Sequence, residues 1–311
     1  MSGSRPTLYV IGGVNVDLIV GTLADWPRHG TEIMLGQSEC RVGGPASNTA
    51  LAFAARGGQP RIVANIGGDL FGRWLAEAFP ESAAGWRRST RPTTITIGIA
   101  HSDGERTFLT TEGHLASFSL EDVTPQLPML AEPGDVALLC CPFLTPMLMD
   151  ECERLLGLLV ERGFAVALDT GWPPPGWTDE IKQRVRAWLP FCQHVLLNEI
   201  ETQGLAGRED IDAAVAQLRA ILAPGATLVV KRGLRGASAW RGPVRIDRAA
   251  PSVAVIDTIG AGDIFNAGYL EGHMRGLDLA SCLALGIEAA SSAISTSPRQ
   301  YAPATIRARS A

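Results

Sequence analysis

The stretch with the clearest chemical meaning is Asp257-Thr-Ile-Gly-Ala-Gly-Asp263, which opens an Ala- and Leu-rich predicted helix. Gly260 and Gly262, with Ala261 between them, allow a sharp turn whose backbone N–H groups point outward. A helix N-terminus adds unpaired N–H donors and the positive end of a dipole, so the turn predicts an anion site. Asp263 either complements that dipole only, or accepts a proton from a hydroxyl that attacks a phosphorus held by the amides. The spacing alone leaves both interpretations of Asp263 open.

Two common nucleotide-binding motifs are absent from the sequence. No G-x-x-x-x-G-K-[ST] loop occurs, and no G-x-G-x-x-G joins a predicted strand to a helix. The segment Gly12-Gly13-Val14-Asn15, after the first predicted strand, does not match that fingerprint. A dinucleotide-dependent oxidoreductase is therefore disfavoured, and any nucleotide has to be bound in another way.

An alternation of short strands and helices has to position this turn. The predicted strands are Leu8–Ile11, Arg61–Asn65, Val136–Cys140, Ala165–Asp169, His194–Leu197, Thr227–Val230 and the strand-like run Val253–Ile256. The predicted helices are Ser47–Arg56, Leu70–Glu77, Pro146–Arg162, Thr178–Trp188, Ile211–Leu222, Gly262–Arg275 and Asp278–Ser295. This order predicts an α/β fold with a mostly parallel sheet covered by helices on both faces. Such sheets bind ligands at the carboxyl ends of their strands.

Two β-branched, turn-rich stretches interrupt the alternation, at about 16–42 and 93–111. Thr94-Ile-Thr-Ile-Gly-Ile alternates as a half-exposed strand does, and Ser102-Asp-Gly-Glu predicts a hairpin turn before Arg106. We expect these stretches to form a small second sheet, which would act as a lid that excludes water from the crevice. An ordinary surface hairpin is the alternative.

Composition excludes several classes of protein. With 46% hydrophobic and 19% charged residues, the 311-residue chain is not a largely disordered one. A net charge of −5 without a Lys/Arg run argues against nucleic acid as a partner. The six cysteines lack zinc spacing, and we expect them to act as small apolar side chains that stay reduced in the cytoplasm. No signal peptide and no apolar run of about 20 residues is present, so we expect a cytoplasmic protein without a membrane partner.

Three segments resemble the motifs of the ribokinase-like (PfkB) carbohydrate kinases, in the order and approximate spacing of that family. They are Gly12–Asp17, Gly43–Gly57 and Asp257–Phe265. The resemblance extends over nearly the whole chain and implies one kinase domain, 1–311, built as a three-layer α/β/α sandwich with a small β-sheet lid. It also implies phosphorylation of a hydroxymethyl group on a sugar-like or nucleoside substrate with ATP and Mg²⁺.

The resemblance gives the anion turn a catalytic meaning. Asp263 matches the general base of the family, and Gly260, Ala261 and Gly262 match the amide anion hole that stabilises the transferring phosphoryl group. This agrees with the local physics, because phosphoryl transfer needs mainly positioning and fixed dipoles that meet developing charge.

The first two motifs, Gly12–Asp17 and Gly43–Gly57, imply which residues bind the substrate. Asn15 and Asp17 match positions that hydrogen-bond substrate hydroxyls, and a carboxylate accepts from two hydroxyls at once. Gly43 and Gly44 would let the main chain approach the ligand, and Asn48, one turn into the next helix, donates and accepts. Without the family, Asp17 reads equally well as a turn residue.

The resemblance also implies which residues bind the nucleotide, and these follow two of the predicted strands. Asn198 and Glu201 match an N-x-x-E element that organises Mg²⁺ and phosphate through water, and they also form a helix capping box. Lys231-Arg-Gly233-Leu-Arg-Gly236 matches the nucleotide loop, with Lys231 where a hydroxyl residue is common. Lys231 then contacts a phosphate as a point charge, or only caps a strand end in solvent.

Two further features bear on ions and specificity. Many relatives use a K⁺ ion, for which Asp257 and the Ile259 carbonyl match two ligands, although the C-terminal loop lacks the family's glycine.

Ribose-specific members carry an acid after the strand that ends here at Cys140, and the matching position is Phe143. We therefore expect Phe143, with Trp172 nearby, to face a flatter or less polar substrate than ribose.

A sugar kinase is thus the first functional hypothesis. A nucleoside kinase of the same family and a non-catalytic sugar- or nucleotide-binding regulator are the alternatives, and the intact Gly-Ala-Gly-Asp run favours catalysis. Lid sheets of this family often pair, so we expect a homodimer through an apolar lid face formed by Ile19, Ile97 and Ile99.

Overall fold

The computed structural model describes residues 5–36, 38–102, 106–296, 299 and 301. The expected hairpin turn at 103–105, the side chain of Arg106, and residues 297, 298 and 300 of the C-terminal loop lie outside this description.

The strands in the described part of the chain account for both predicted sheets. They are β1 (Leu8–Gly12), β2 (Asn15–Leu23), β3 (Ser38–Gly43), β4 (Pro60–Val63), β5 (Asn65–Gly67), β6 (Arg87–Ser89), β7 (Ile95–His101), β8 (Arg106–Thr110), β9 (Val136–Cys140), β10 (Ala165–Asp169), β11 (His194–Asn198), β12 (Thr227–Lys231), β13 (Ala237–Arg241) and β14 (Val244–Arg248).

The helices fall between these strands. They are α1 (Pro45–Ala55), α2 (Leu70–Ala78), α3 (Pro80–Ala83), α4 (Leu120–Val123), α5 (Pro146–Asp150), α6 (Cys152–Glu161), α7 (Asp179–Trp188), α8 (Glu199–Ala206), α9 (Ile211–Arg219), α10 (Ala261–Met274) and α11 (Leu279–Ile294). None of the helices described is long and apolar enough to cross a membrane.

The main sheet has eight strands in the order β14-β13-β12-β11-β10-β9-β1-β4. All neighbours from β4 to β12 run parallel, and β13 and β14 continue the sheet antiparallel. The register aligns Gly12 with Cys140 and Cys140 with Asp169, and it pairs Asn198 with Lys231. The polar strand ends therefore lie along one edge of the sheet, where a parallel α/β fold binds its ligand.

Two cores make the fold a three-layer sandwich. Along β9, Val136, Leu138 and Cys140 belong to a core shared with α1, α10 and α11, whereas Ala137 and Leu139 belong to a core shared with α5 to α9. Because successive side chains of a strand point to opposite faces, a strand buried on both faces is apolar throughout. This arrangement confirms the predicted α/β/α fold.

The two stretches expected to form a lid make a separate four-stranded sheet in the order β3-β2-β7-β8, with a parallel β2–β7 pair at its centre; it is called the lid sheet below. Asn15 and Asp17 lie inside β2, so they belong to the lid sheet and do not follow β1 directly. Of the three isoleucines predicted to form an exposed face, Ile99 is buried and Ile19 and Ile97 are half-buried. That expected face is therefore not open to a partner as a whole.

Other differences from the prediction have local reasons. Val253–Ile256 is not a strand: its last three residues are exposed, and the Ile256 N–H donates instead to the Ile294 carbonyl on α11 (2.7 Å). The predicted helix Pro146–Arg162 is two helices, α5 and α6, which separate at Glu151. The β13–β14 hairpin around Gly242 was not predicted, and of helix α8 only the capping box at its start was predicted.

Candidate active site

The anion turn forms as the glycine spacing predicts. Gly260 caps α10 with φ +71°, a left-handed conformation that favours glycine, and the helix begins at Ala261. The Ala261 N–H donates to the Thr258 carbonyl (3.1 Å), whereas the N–H groups of Gly260 and Gly262 have no acceptor in the described part of the chain. Two of the three predicted amides are therefore available to an anion.

Asp263 lies in the first turn of α10 and borders the same space. Its Oδ2 accepts a hydrogen bond from Asn48 Nδ2 (3.0 Å), and its carbonyl accepts one from Thr49 Oγ1 (3.2 Å). Burial, with the nearby Asp169 carboxylate, raises the pKa of Asp263 to about 7, although the Asn48 hydrogen bond lowers it. A carboxyl group with a pKa near neutrality can take a proton and release it again, as a general base must.

A cavity of about 760 Å³ opens in front of this turn. Every predicted nucleotide-side residue lines it together with the anion turn and Asp263: Asn198, Glu201, Lys231, Gly233, Gly236, Gly260, Ala261, Gly262 and Asp263. Its lining also includes the apolar side chains of Pro251, Val253 and Ile287 and the aromatic rings of Trp172 and Phe108. The volume suits a nucleotide-sized ligand.

The predicted substrate residues form a second, adjoining group and do not line this cavity. Asn15 Nδ2 donates to Asp17 Oδ1 (2.8 Å) and to Thr96 Oγ1 (3.2 Å), and both Asn15 and Asp17 are buried. Burial raises the pKa of Asp17, and the Asn15 hydrogen bond partly offsets this. Asn48 joins the two groups because it also contacts Asp263. Asp263 thus stands between the cavity and the Asp17 group.

Gly43 and Gly44 act on this group in a way that the sequence did not indicate. A Cβ at Gly43 would lie 2.0 Å from Asp17 Cγ, and one at Gly44 would lie 2.6 Å from Asn15 Oδ1. Gly44 also has φ +96°. The two glycines therefore make room for the polar side chains of β2, rather than only for a ligand.

Lys231 belongs to a buried network that was only partly predicted. Its Nζ pairs with Asp169 Oδ2 (2.7 Å) and donates to Asn266 Oδ1 (3.3 Å). Burial lowers the pKa of Lys231, but the Asp169 and Glu201 carboxylates outweigh burial and raise that pKa above its usual value. A Cβ at Gly262 would lie 3.4 Å from Nζ, so the ammonium group lies directly beside the anion turn. Lys231 is not a solvent-exposed strand cap.

The sequence positions of Asp169 and Asn266 could have identified both as residues of the site. Asp169 ends a buried parallel strand at the ligand-binding edge, and Asn266 follows Asp263 by three residues on the same face of α10. Asn266 Nδ2 donates to Asp169 Oδ2 (2.5 Å).

This geometry can be compared with known proteins. A model of the pfkB family carbohydrate kinases matches residues 5–305. The chain belongs to that family. It is a carbohydrate kinase of the sugar and nucleoside kinase group.

Three relatives illustrate the range within the family. A fructokinase of Klebsiella pneumoniae is 28% identical over 254 residues, which are 75% of this chain and 77% of the fructokinase. A cytidine kinase of Thermococcus kodakarensis is 28% identical over 290 residues, 91% of this chain and 94% of the relative. The structure of Arabidopsis thaliana ribokinase complexed with ribose and ATP is 22% identical, covers 94% of each chain and superposes with a TM-score of 0.73, which shows the shared fold.

The oxygen donors of this kinase fit Mg²⁺ bound mainly by phosphates. Asn198 and Glu201 form a capping box, which uses Glu201 Oε2 and Asn198 Oδ1. Burial and Asp169 raise the pKa of Glu201 to about 7, although Lys231 lowers it. No group of three or more His, Cys, Asp or Glu among the described residues could hold a metal directly. Glu201 therefore fits contact with the ion through water, because Mg²⁺ usually keeps several waters.

The residues around Asp257 do not fit the expected monovalent cation. Asp257 Oδ2 accepts from Arg41 Nη1 (2.8 Å) and from Arg299 Nη2 (2.5 Å), and Oδ1 accepts from the Ile259 N–H (2.9 Å). Two guanidinium groups thus cover the carboxylate that was expected to bind K⁺. Arg41 and Arg299 were not predicted, since they lie far from Asp257 in sequence.

Phe143 does not line this cavity. Its half-buried ring packs edge-on against Trp177 (5.9 Å between centroids) and tilted against Trp188 (6.3 Å), beside the core beneath α7. Trp172 does line the cavity, and it is 52% exposed. Of this expected pair, Trp172 is the one found in the cavity wall.

Proposed function

We propose that this kinase transfers the γ-phosphoryl group of ATP to a hydroxyl, most simply a hydroxymethyl group, of a sugar or sugar-like molecule. The observation that carries the proposal is the position of Asp263. Its carboxyl group, with a pKa raised to about 7, lies beside the free amides of Gly260 and Gly262 and between the cavity and the Asp17 group. A proton acceptor, an anion hole and hydroxyl-binding groups thus surround one point.

Each group has one task in this mechanism. Asp17, held by Asn15, accepts hydrogen bonds from substrate hydroxyls and orients the reacting one. The oxygen of that hydroxyl attacks the γ-phosphorus while its proton passes to Asp263, and the bond from phosphorus to the ADP oxygen breaks. The Gly260 and Gly262 amides and the Lys231 ammonium meet the charge on the phosphoryl oxygens. Mg²⁺, when bound, neutralises phosphate charge, and Glu201 would hold it through water.

A nucleoside substrate is the second candidate. Trp172 and Phe108 offer aromatic surface in the lining of the cavity. The cytidine kinase relative also covers more of this chain than the fructokinase does. A regulator without catalysis is disfavoured, because a binding protein does not need a buried carboxylate with a raised pKa beside an anion hole.

An ADP-release screen with a matched pair of variants tests the proposal. The panel contains fructose, other hexoses, ribose, sugar acids, cytidine and adenosine. We expect one class to support turnover, and Asp17→Asn to lower kcat/KM for it by about 10-fold or more, because a dual acceptor for hydroxyls is lost. The control Asp25→Asn changes an exposed lid residue and should leave kcat/KM unchanged. Absence of ADP release with every compound, despite ATP binding, would contradict the proposed function.

The pH dependence follows from the raised pKa of Asp263. The ionised carboxylate is the active base, so kcat/KM should fall about tenfold per pH unit below pH 7 and level off above it. Glu201 also has a pKa of about 7, so the profile alone does not assign the group. Asn48→Ala removes a hydrogen bond that lowers the pKa of Asp263, and the apparent pKa should therefore rise. An apparent pKa that stays in place or falls in Asn48→Ala would exclude Asp263 as the titrating group.

A further inference from the structure

Arg299 supplies a positive charge at Asp257 from within the chain itself. Its Nη2 contacts both Asp257 Oδ2 (2.5 Å) and the Asp257 carbonyl oxygen (3.4 Å). The planar fork of a guanidinium suits such a bridge, which fixes the start of the turn that leads to Gly260. Burial raises the pKa of Asp257, but Arg299 and Arg41 together outweigh burial and hold that pKa below its usual value. The carboxylate is therefore ionised and paired without any added ion.

The other end of the same guanidinium reaches the anion turn. A Cβ at Gly260 would lie 3.4 Å from Arg299 Nη1. The Arg299 side chain is only 5% exposed and lies near the Tyr301 hydroxyl, but its Nη1 and Nε make no hydrogen bond of normal length in the described part of the chain. A buried donor without a partner is costly, and the cost falls when an anion comes close. Arg299 is thus a cation placed directly behind the predicted phosphoryl site.

The cations around this point differ in how they are paired. Arg41 pairs with both Asp257 and Glu39, whereas the one ion pair that the described residues give Arg299 is with Asp257. Lys231 lies on the other side of the turn and is already paired with Asp169. Of these cations, Arg299 is the one whose free donors lie nearest Gly260.

We propose that Arg299 is the resident cation of the anion site, a positioning residue that holds the Asp257–Gly260 turn and adds positive charge behind it, so that phosphoryl transfer needs no alkali ion. This rests on the proposed function of Asp263 and the turn. A cation that belongs to the chain has no binding equilibrium, and its geometry is fixed by two contacts to Asp257. The site expected for K⁺ is thereby filled by a side chain.

The test compares the wild-type protein, Arg299→Met and the control Arg154→Ala in K⁺ and in tetramethylammonium at equal ionic strength. Arg154 is an exposed helix residue that pairs only with its neighbour Glu151 among the described residues. We expect the wild type and Arg154→Ala to keep the same kcat, within about twofold, and the same melting temperature in both salts. Arg299→Met should lose about 10-fold or more in kcat with a smaller change in KM, because the lost charge acts on the phosphoryl group in the transition state. It should regain part of that kcat with K⁺ or methylguanidinium.

The two readouts separate this inference from the proposed function. A wild-type protein that turns over only with K⁺, or whose melting temperature rises in K⁺ but not in tetramethylammonium, overturns the role of Arg299 and leaves the kinase mechanism intact. An Arg299→Met variant with wild-type kcat overturns it as well. If no substrate supports turnover, the proposed function fails, and the melting temperatures still decide whether the chain binds K⁺.

Discussion

Replacing Asp263 by Asn should lower kcat by about 10²- to 10⁴-fold, the range that general bases contribute. Asn has nearly the same shape, and its Oδ1 can still accept the hydrogen bond from Asn48 Nδ2. It cannot take the proton of the attacking hydroxyl, so the loss should appear in kcat, while the KM values for ATP and the acceptor change little. ADP release at saturating substrate measures this directly.

The same substitution should stabilise the fold at high pH. Folding raises the pKa of Asp263 from 3.8 to about 7, so its contribution to stability is present below pH 3.8 and is lost as the pH rises through 7. Asn carries no charge, and Asp263→Asn should therefore raise the free energy of unfolding by about 1–4 kcal/mol at pH 8, and by progressively less toward pH 4.

Urea unfolding at pH 8 and pH 5 checks this result, with Asp25→Asn as the exposed control. A variant that loses activity and also unfolds more easily at pH 8 would mean that Asp263 is a structural helix residue. A variant that keeps kcat within a factor of about three would rule out the general base. Loss of kcat together with a gain in stability is expected only of a carboxylate that is kept buried for catalysis.

Features that are local in sequence were predictable. The anion turn depends on two glycines and an acid within four residues, and its left-handed Gly260 and helix start follow from those residue types alone. The central sheet was predictable for a related reason: a strand buried on both faces, such as β9, is a continuous apolar run between turn residues. Each of these is decided by a few neighbouring side chains.

Features that depend on contacts between residues distant in sequence were not predictable. Asp169 is separated from Lys231 by 62 residues and from Asn266 by 97, and only the strand register brings them together. Arg299 reaches Asp257 across 42 residues. No short pattern records such pairs, because an isolated arginine or aspartate is equally compatible with a solvated surface. The packing of Phe143 was not predicted for the same reason, since its aromatic partners come from α7 and the loop before it.

Changing Gly260 to Ala should reduce both stability and kcat. At φ +71° a residue with a Cβ is strained, and this Cβ would lie 2.7 Å from Asn48 Nδ2 and 3.4 Å from Arg299 Nη1. Either Asn48 withdraws from Asp263, which disturbs the proposed general base, or the turn moves, which displaces an amide of the anion hole. We expect a loss of about 1–3 kcal/mol in the free energy of unfolding and of about 10²- to 10³-fold in kcat.

Gly262→Ala is the matched control for stability, because it makes the same substitution two residues later in the same motif. Gly262 lies inside α10 without a positive φ, and its Cβ would meet the Lys231 ammonium group at 3.4 Å, which is an ordinary van der Waals contact. Ala is favoured over Gly within a helix by up to about 1 kcal/mol, so Gly262→Ala should be at least as stable as the wild type. The difference between the two variants isolates the backbone conformation at Gly260 from the mere addition of a methyl group. Equal stability of the two would mean that the left-handed turn does not constrain the site, and the assignment of its amides as an anion hole would then fail.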